Sequence, residues 1–420
     1  MSHILEDLKR FLDNSPTSWH ATHEIGNRLA GIDFTPLDES EKWELEFGKK
    51  YFVQRGGSLC AFALPQGRPS KMNIIASHTD SPALKLKPNP EVHQENMTLF
   101  ETEIYGSPLL NSWLNRDLAI AGRIIIQNAQ NEMEEHLVFL EEAPVFIPQL
   151  ALHLDRDVND KGLLLDKQEH LRPVITLNKK KADLESLLKE QFLFQSLLSF
   201  DLFLVPIESS RFLGLKGEMF GSYRLDNLAS AHACTAAIAS APVGKALQMA
   251  LFWDNEEIGS RTTEGAASPL LADILKRIGF AIGMSEEEMI RLKNGSICTS
   301  VDVAHAFNPN YPKKYDPKHQ PLCGEGVVLK YNADKKYASD AKTAAPIVQA
   351  CKKLKLNYQS YACRSDIPCG STVGPIVAHG LGIPTVDIGI PIFSMHSARE
   401  VMACQDHLDM CQLLTYVLQI

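Results

Sequence analysis

Short apolar runs alternate with amphipathic or small-residue stretches along much of this chain. Residues 3–30 read as two helices. The first, within "MSHILEDLKRFLDNS", is amphipathic and carries acids. "SLCAFALP" (58–65) and "KMNIIASHTD" (71–80) read as successive short strands. The texture changes after Pro88: β-like runs such as "AGRIIIQN" and "EHLVFLE" lead into mixed loops and the helical "ADLESLLKEQFLFQSLL". From Gly221 strands and helices alternate again. "DNLASAHACTAAIASA" is a small-residue helix and "ALQMALFW" a strand; "ASPLLADILKRIG" is a helix and "GSICTSVDVAH" a strand. "ASDAKTAAPIVQACKKLK", "GPIVAHGLG" and "QDHLDMCQLLTYVLQ" read as helices, with the strands "NYQSYA" and "PTVDIGIP" between them. Strand–helix alternation predicts an α/β fold, with a mostly parallel sheet covered on both faces. Residues 1–90 and 219–420 are expected to form one discontinuous α/β domain, and 91–218 an inserted, β-rich second domain.

Bulk properties narrow the function. The chain has 420 residues, 45% of them hydrophobic, and a formal charge of -9 from 51 acids and 42 bases. That suits two folded domains and argues against nucleic acid as a partner. "NKKKADLESLLKE" is a short mixed run, read as a helix start. No apolar run reaches the roughly 18 residues of a membrane span, and the N-terminus lacks the basic start and apolar core of a signal peptide. Nine scattered cysteines with no CxxC suit reduced thiols in the cytoplasm better than a disulfide frame or a cysteine-based zinc site.

The chemistry gathers at strand ends, where open α/β sheets bind ligands. His78 and Asp80 end "NIIASHTD"; Asp226 opens the helix "DNLAS"; Glu256 and Glu257 end "ALFWDNEE"; Asp302 and His305 lie in "SVDVAH"; His396 follows "DIGIP". Taken singly, each has an ordinary explanation: Asp226 as a helix N-cap, His78 as an interior hydrogen-bonded imidazole, His396 as a loop residue. Jointly, two histidines and several carboxylates without cysteine suit a zinc, manganese or cobalt pair in a hydrolytic site. Two divalent ions bring four positive charges. Asp226, Glu257 and Asp302 remove three and a hydroxide the fourth. Glu256 is then left over, as a general base must be.

The stretches "SHTDSPALKLKP", "PQLALHL", "RLDNLAS", "DNEEIGS", "VDVAHAFNPNYP", "PCGSTVGPI" and "MHSARE" span most of the chain. As a set they resemble the aspartyl aminopeptidases, co-catalytic dizinc metallopeptidases with a phosphorylase-like α/β domain. The resemblance implies two zinc ions per subunit, with cobalt or manganese as substitutes. His78 and Asp302 would complete one site, Glu257 and His396 the other, and Asp226 would bridge them. Glu256 would be the base, and Asp80 would orient the His78 imidazole. The inserted segment would be a dimerisation domain, and dimers would build a homododecamer. His153 would enter a neighbouring subunit's active site, and His319 and Lys330 would meet substrate. The implied reaction releases acidic N-terminal residues from peptides. Two rivals stay open at this point. One is another hydrolase on the same scaffold: an aminopeptidase of neutral preference, or a different dimetal amidase. The other is a non-enzymatic assembly protein, against which the presence of every expected ligand speaks.

Overall fold

The computed structural model describes residues 3–177 and 182–420. They fall into two compact units: Met1–Asp80 with Ser210–Met395 and Glu400–Ile420, and Ser81–Ser209 with His396–Arg399.

The first unit is built on a nine-stranded sheet. At its centre Leu247–Trp253, Met72–His78, Ile297–Val301 and Thr385–Gly389 run parallel. Antiparallel neighbours flank them: Ser58–Ala63 beside Leu247–Trp253, and Val327–Lys330 beside Thr385–Gly389. The sheet is therefore mixed and mostly parallel. Parallel strands covered on both faces can be apolar at successive positions, because both sides are dry. Leu247–Trp253 and Met72–His78 are buried throughout. The pleat sends alternate residues to opposite cores. Ala250 and Phe252 pack with the helices His3–Asp13, Leu225–Ser240 and Cys404–Val417. Met249, Leu251 and Trp253 pack with the helix Leu270–Ala281 on the other face.

Helix Leu225–Ser240 is buried nearly all round. Its alanines at 229, 231, 233 and 237 have no exposed surface, so the backbone approaches its neighbours closely. Helix His3–Asp13 instead shows one apolar stripe, Leu5, Leu8, Phe11 and Leu12, as a surface helix does. A smaller five-stranded sheet in the same unit joins 211–213, 219–222, 400–403, 391–393 and 304–305.

The second unit carries a six-stranded antiparallel sheet in the order 133–139, 118–127, 196–206, 83–94, 97–105, 174–176. One expectation is corrected here. The helical reading of 182–198 holds only for Leu184–Lys189, capped by the Asp183 side chain on the Ser186 N–H. From Ser196 the chain is a strand to Pro206, paired along its length with Leu118–Gln127. Partners distant in sequence override the local periodicity there. The lysine run at 179–181, read as part of a helix start, lies outside the described residues. The helix Glu286–Asn294 is an unanticipated element, opened by a Ser285–Glu288 capping box.

Gly389 ends a central strand where a Cβ would stand 1.9 Å from the Asp302 carbonyl oxygen. Gly389→Ala should therefore push the Asp302 backbone, costing about 1–3 kcal/mol in urea unfolding, as overpacking does. Gly380→Ala, in an exposed helical position with nothing within 4 Å, should instead stabilise by about 0.5–1 kcal/mol. Equal effects at the two positions would contradict this packing.

Candidate metal centre

The carboxyl ends of the central parallel strands converge. His78 ends its strand directly beside Trp253, in register with it. Asp302 immediately follows Val301 on the other flank of the His78 strand. The turn after Trp253 is tight, with Asn255 at φ 61° and Gly259 at φ 95°, and carries Glu256 and Glu257 in a 3-10 turn.

His78 is 1% exposed. Its Nδ1 lies 3.1 Å from the Asp80 main-chain oxygen. A carbonyl only accepts, so Nδ1 carries a proton in either charge state, and Nε2 is the nitrogen that can exchange a proton for a cation. Nε2 faces Asp226 Oδ1 at 3.5 Å and Asp302 Oδ1 at 3.8 Å. Ligand atoms of His78, Asp226 and Asp302 lie within 4.8 Å of one another, as do those of His78, Glu256 and Glu257.

The Asp80 carboxylate does more than face the imidazole, from which it stands 3.4 Å away. Its two oxygens accept the backbone N–H groups of Glu256 and Glu257, each at 3.1 Å. Asp80 thus fixes the imidazole through its carbonyl and the acidic turn through its carboxylate. The segment is kinked at Asp226 and Asn227, which both have non-helical backbone angles, and Arg224 just before them stands at φ 67°. Asp226 sits at a break in the helical backbone and not in a regular first turn. Its N–H is donated to Glu400 Oε2 at 3.0 Å.

Electrostatics follow from crowding. Burial opposes a charged His78, but the carboxylates of Asp226, Asp302 and Asp80 outweigh it and hold the imidazole well above its ordinary range. Burial pushes Glu256 up to about 8; His78 opposes the shift, while Asp302, Asp80 and Asp226 add to it. A donor set of one imidazole and several carboxylates, with no thiolate, fits a zinc-type divalent ion.

The remaining expected residues lie as follows. Lys330 is buried; its Nζ donates to the Val303 carbonyl at 3.0 Å and stands 3.6 Å from Asp302 Oδ2. His319 sits in a loop with Nδ1 2.7 Å from Asp316 Oδ1. His153 is exposed in a turn segment of the second unit. His396, at φ 66°, groups with that unit. Its Nδ1 donates to the Ser107 carbonyl at 3.0 Å, which leaves the lone pair on Nε2. Glu400 was not singled out from sequence, although it closes the quoted "MHSARE". It is a 1% exposed acid whose carboxylate receives the Asp226 N–H.

A layered α/β unit with imidazole and carboxylates gathered at its strand ends has the build of a metallohydrolase. Comparison with known proteins makes this specific. Residues 11–416 match the aminopeptidase I zinc metalloprotease family, M18, and the chain belongs to that family. It is 39% identical over 411 residues to a probable M18 family aminopeptidase 2 of Streptomyces coelicolor, covering 96% of this chain and 94% of that one. Among solved structures it resembles a chain of the Ape4 and Nbr1 complex at TM-score 0.94 and 29% identity, covering 98% of this chain and 84% of that one. The fold is also that of the S. cerevisiae mApe1 dodecamer, at TM-score 0.84 and 24% identity, covering 98% of this chain and 95% of that one.

Asp80→Asn tests the clamp. The amide keeps the size but replaces one acceptor with a donor facing an N–H. The fold should persist by circular dichroism while zinc affinity, read by chelator competition, falls roughly 10–100-fold. An unchanged affinity would remove Asp80 from the site's support.

Proposed function

We propose that this chain is an aminopeptidase that releases acidic N-terminal residues from peptides, with two zinc ions per subunit. The observation that supports it best is the convergence of Asp226 and Asp302 on Nε2 of an imidazole whose other nitrogen is tied, beside the clamped Glu256–Glu257 turn. In this reading His78 and Asp302 hold one ion, Glu257 and His396 the other, and Asp226 both. Zinc, when bound, supplies a Lewis acid for the scissile carbonyl and an acidified water. Glu256 takes the proton of the attacking water on its carboxylate and returns it to the leaving amine. Its half-buried place on a turn held by Asp80 keeps that carboxylate where the proton is exchanged.

Acidic preference requires positive charge near the substrate side chain. Lys330 is the candidate, with His319 in support. Its burial against Asp302 and the Val303 carbonyl favours a competing reading, in which Lys330 only holds a ligand and the enzyme prefers neutral residues.

Assembly belongs to the same proposal. His153 lies between Leu152 and Leu154, which are 52% and 74% exposed, a large apolar exposure for adjoining positions. We assign this segment to contact between subunits, in a dodecamer like that of the S. cerevisiae relative, with His153 serving a neighbour's site. Among the described residues no helix is long and apolar enough to cross a membrane. All nine cysteines are unpaired, which supports the cytoplasm as the compartment.

Glu256→Gln should lower kcat roughly 10²–10⁴-fold with bound zinc and folding unchanged. Near-normal turnover in zinc-loaded Glu256→Gln would exclude it as the base.

Substrate preference is read from kcat/KM for Asp-Ala and Leu-Ala dipeptides. The wild type should favour Asp-Ala, and Lys330→Ala should reduce that ratio about 30-fold or more, the effect of losing one partner of a buried charge pair. If both substrates fall together and the ratio stays, Lys330 acts only by holding Asp302.

A further inference from the structure

A second cluster of ligand-type side chains lies inside the first unit and shares no residue with the metal centre. His407 and Cys411 stand one helical turn apart on Cys404–Val417, so their side chains lie on one face. His232 projects from Leu225–Ser240 to meet them. His232 Nδ1 is 3.0 Å from His407 Nε2, and Cys411 Sγ is 3.6 Å from that same nitrogen. One ligand atom from each residue lies within 4.8 Å of the other two. On its far side His232 Nε2 lies 3.0 Å from Asp7 Oδ2. Both imidazoles are 0–1% exposed and Cys411 is 5% exposed, while the Asp7 side chain is 31% exposed.

We propose that His232, His407 and Cys411 form a separate binding site for a borderline-soft divalent cation, zinc foremost, with Asp7 as the outer carboxylate that orients His232. Tetrahedral zinc with Zn–N near 2.05 Å and Zn–S near 2.3 Å places two ligand nitrogens roughly 3.3 Å apart and a nitrogen and sulfur about 3.6 Å apart. The observed 3.0 Å and 3.6 Å need an opening of a few tenths of an ångström. Asp7 fixes the tautomer. Its carboxylate only accepts, so His232 Nε2 carries the proton and Nδ1 presents its lone pair inward. Asp7 is itself held by Arg28 at 2.6 Å.

The protons balance. With His232 Nδ1 accepting, the proton between the rings sits on His407 Nε2. Entry of a cation moves it to His407 Nδ1, which has no hydrogen-bond partner among the described residues. The Cys411 thiol proton leaves to solvent. The thiolate then offsets one of the two positive charges, and the Asp7 carboxylate, shared with Arg28, faces the other through His232. Without a cation the same residues are only a hydrogen-bonded joint between three helices.

Cobalt distinguishes the two cases, because a cobalt–thiolate bond gives a near-ultraviolet charge-transfer absorption that an oxygen and nitrogen site lacks. The full-length protein, exchanged into cobalt, should show this absorption. Cys411→Ser should abolish it and remove one bound metal per chain by elemental analysis, with peptidase activity retained. Cys363→Ser and Cys369→Ser, which alter other thiols, should leave it intact. Asp7→Asn, at the exposed edge and gentler on folding, should weaken cobalt binding at this absorption about 10–100-fold. No charge-transfer absorption in the wild type at saturating cobalt overturns the proposal, as does an absorption that survives Cys411→Ser.

Discussion

Like charge is the constraint on which the metal centre depends. Asp80, Asp226, Asp302, Glu256 and Glu257 are brought to neighbouring strand ends with His78 and Lys330 among them. Carboxylates removed from water near one another repel, and some take up protons unless positive charge offsets them. Burial first, and then the neighbouring Asp302, Asp80 and Asp226, raise Glu256 to about 8. The chain relieves part of the strain with backbone dipoles. Asp80 receives two N–H groups, Glu400 receives the Asp226 N–H, and buried Asp254 receives the N–H of Asn255 at 2.8 Å and the Ser18 hydroxyl at 3.1 Å. Lys330 supplies a full charge behind Asp302. Asp226 and Asp302 both face His78 Nε2. A divalent ion there would neutralise the carboxylates without protonating any of them.

Holding acids this close demands a stiff frame. A Cβ at Gly57 would meet Asp254 Oδ2 at 2.1 Å, and one at Gly374 would meet Asp387 at 2.4 Å. Bare backbone at these places lets buried carboxylates lie flat against neighbouring segments. The alanine-rich helix Leu225–Ser240 serves the same end, because small side chains let its first turn carry Asp226 to the ends of the sheet. Close approach and rigidity come together in a core without spare volume.

The sequence pattern was most informative where local periodicity and tertiary burial agree. The helices at residues 3–30, 225–240, 270–281, 341–354 and 404–417 carry apolar or small-residue patterns, and the central strands are short apolar runs. The convergence of His78, Asp226, Glu256, Glu257 and Asp302 was legible because strand ends in such sheets share an edge. Less legible were features set by distant partners. Ser196–Pro206 follows its neighbour's hydrogen bonds against its own helical pattern. The five-stranded sheet uses strands of two to four residues, too short to show alternation. The burial of Lys330 and the Asp80 clamp depend on where other segments bring a carbonyl and two N–H groups. In the His232–His407–Cys411 cluster, spacing links His407 with Cys411, but His232 comes from a helix far away in the chain that no spacing rule joins to them.

The two clusters are not mechanically independent. Asp226 lies at the kinked start of the segment whose helix carries His232, six residues further on. Glu400, which takes the Asp226 N–H, sits on the strand that runs directly into the helix of His407 and Cys411. The same two segments are therefore pinned twice, by Glu400 at the edge of the metal centre and by the imidazole pair in the interior. A helix held at one point can still pivot; held at two it has a fixed direction. Asp226 has the most to gain from that, since its backbone leaves the helical path. The interior polar joint thus has a structural reason to exist whether a proton or a metal ion occupies it, and the ion would tighten a restraint that the hydrogen bonds already impose.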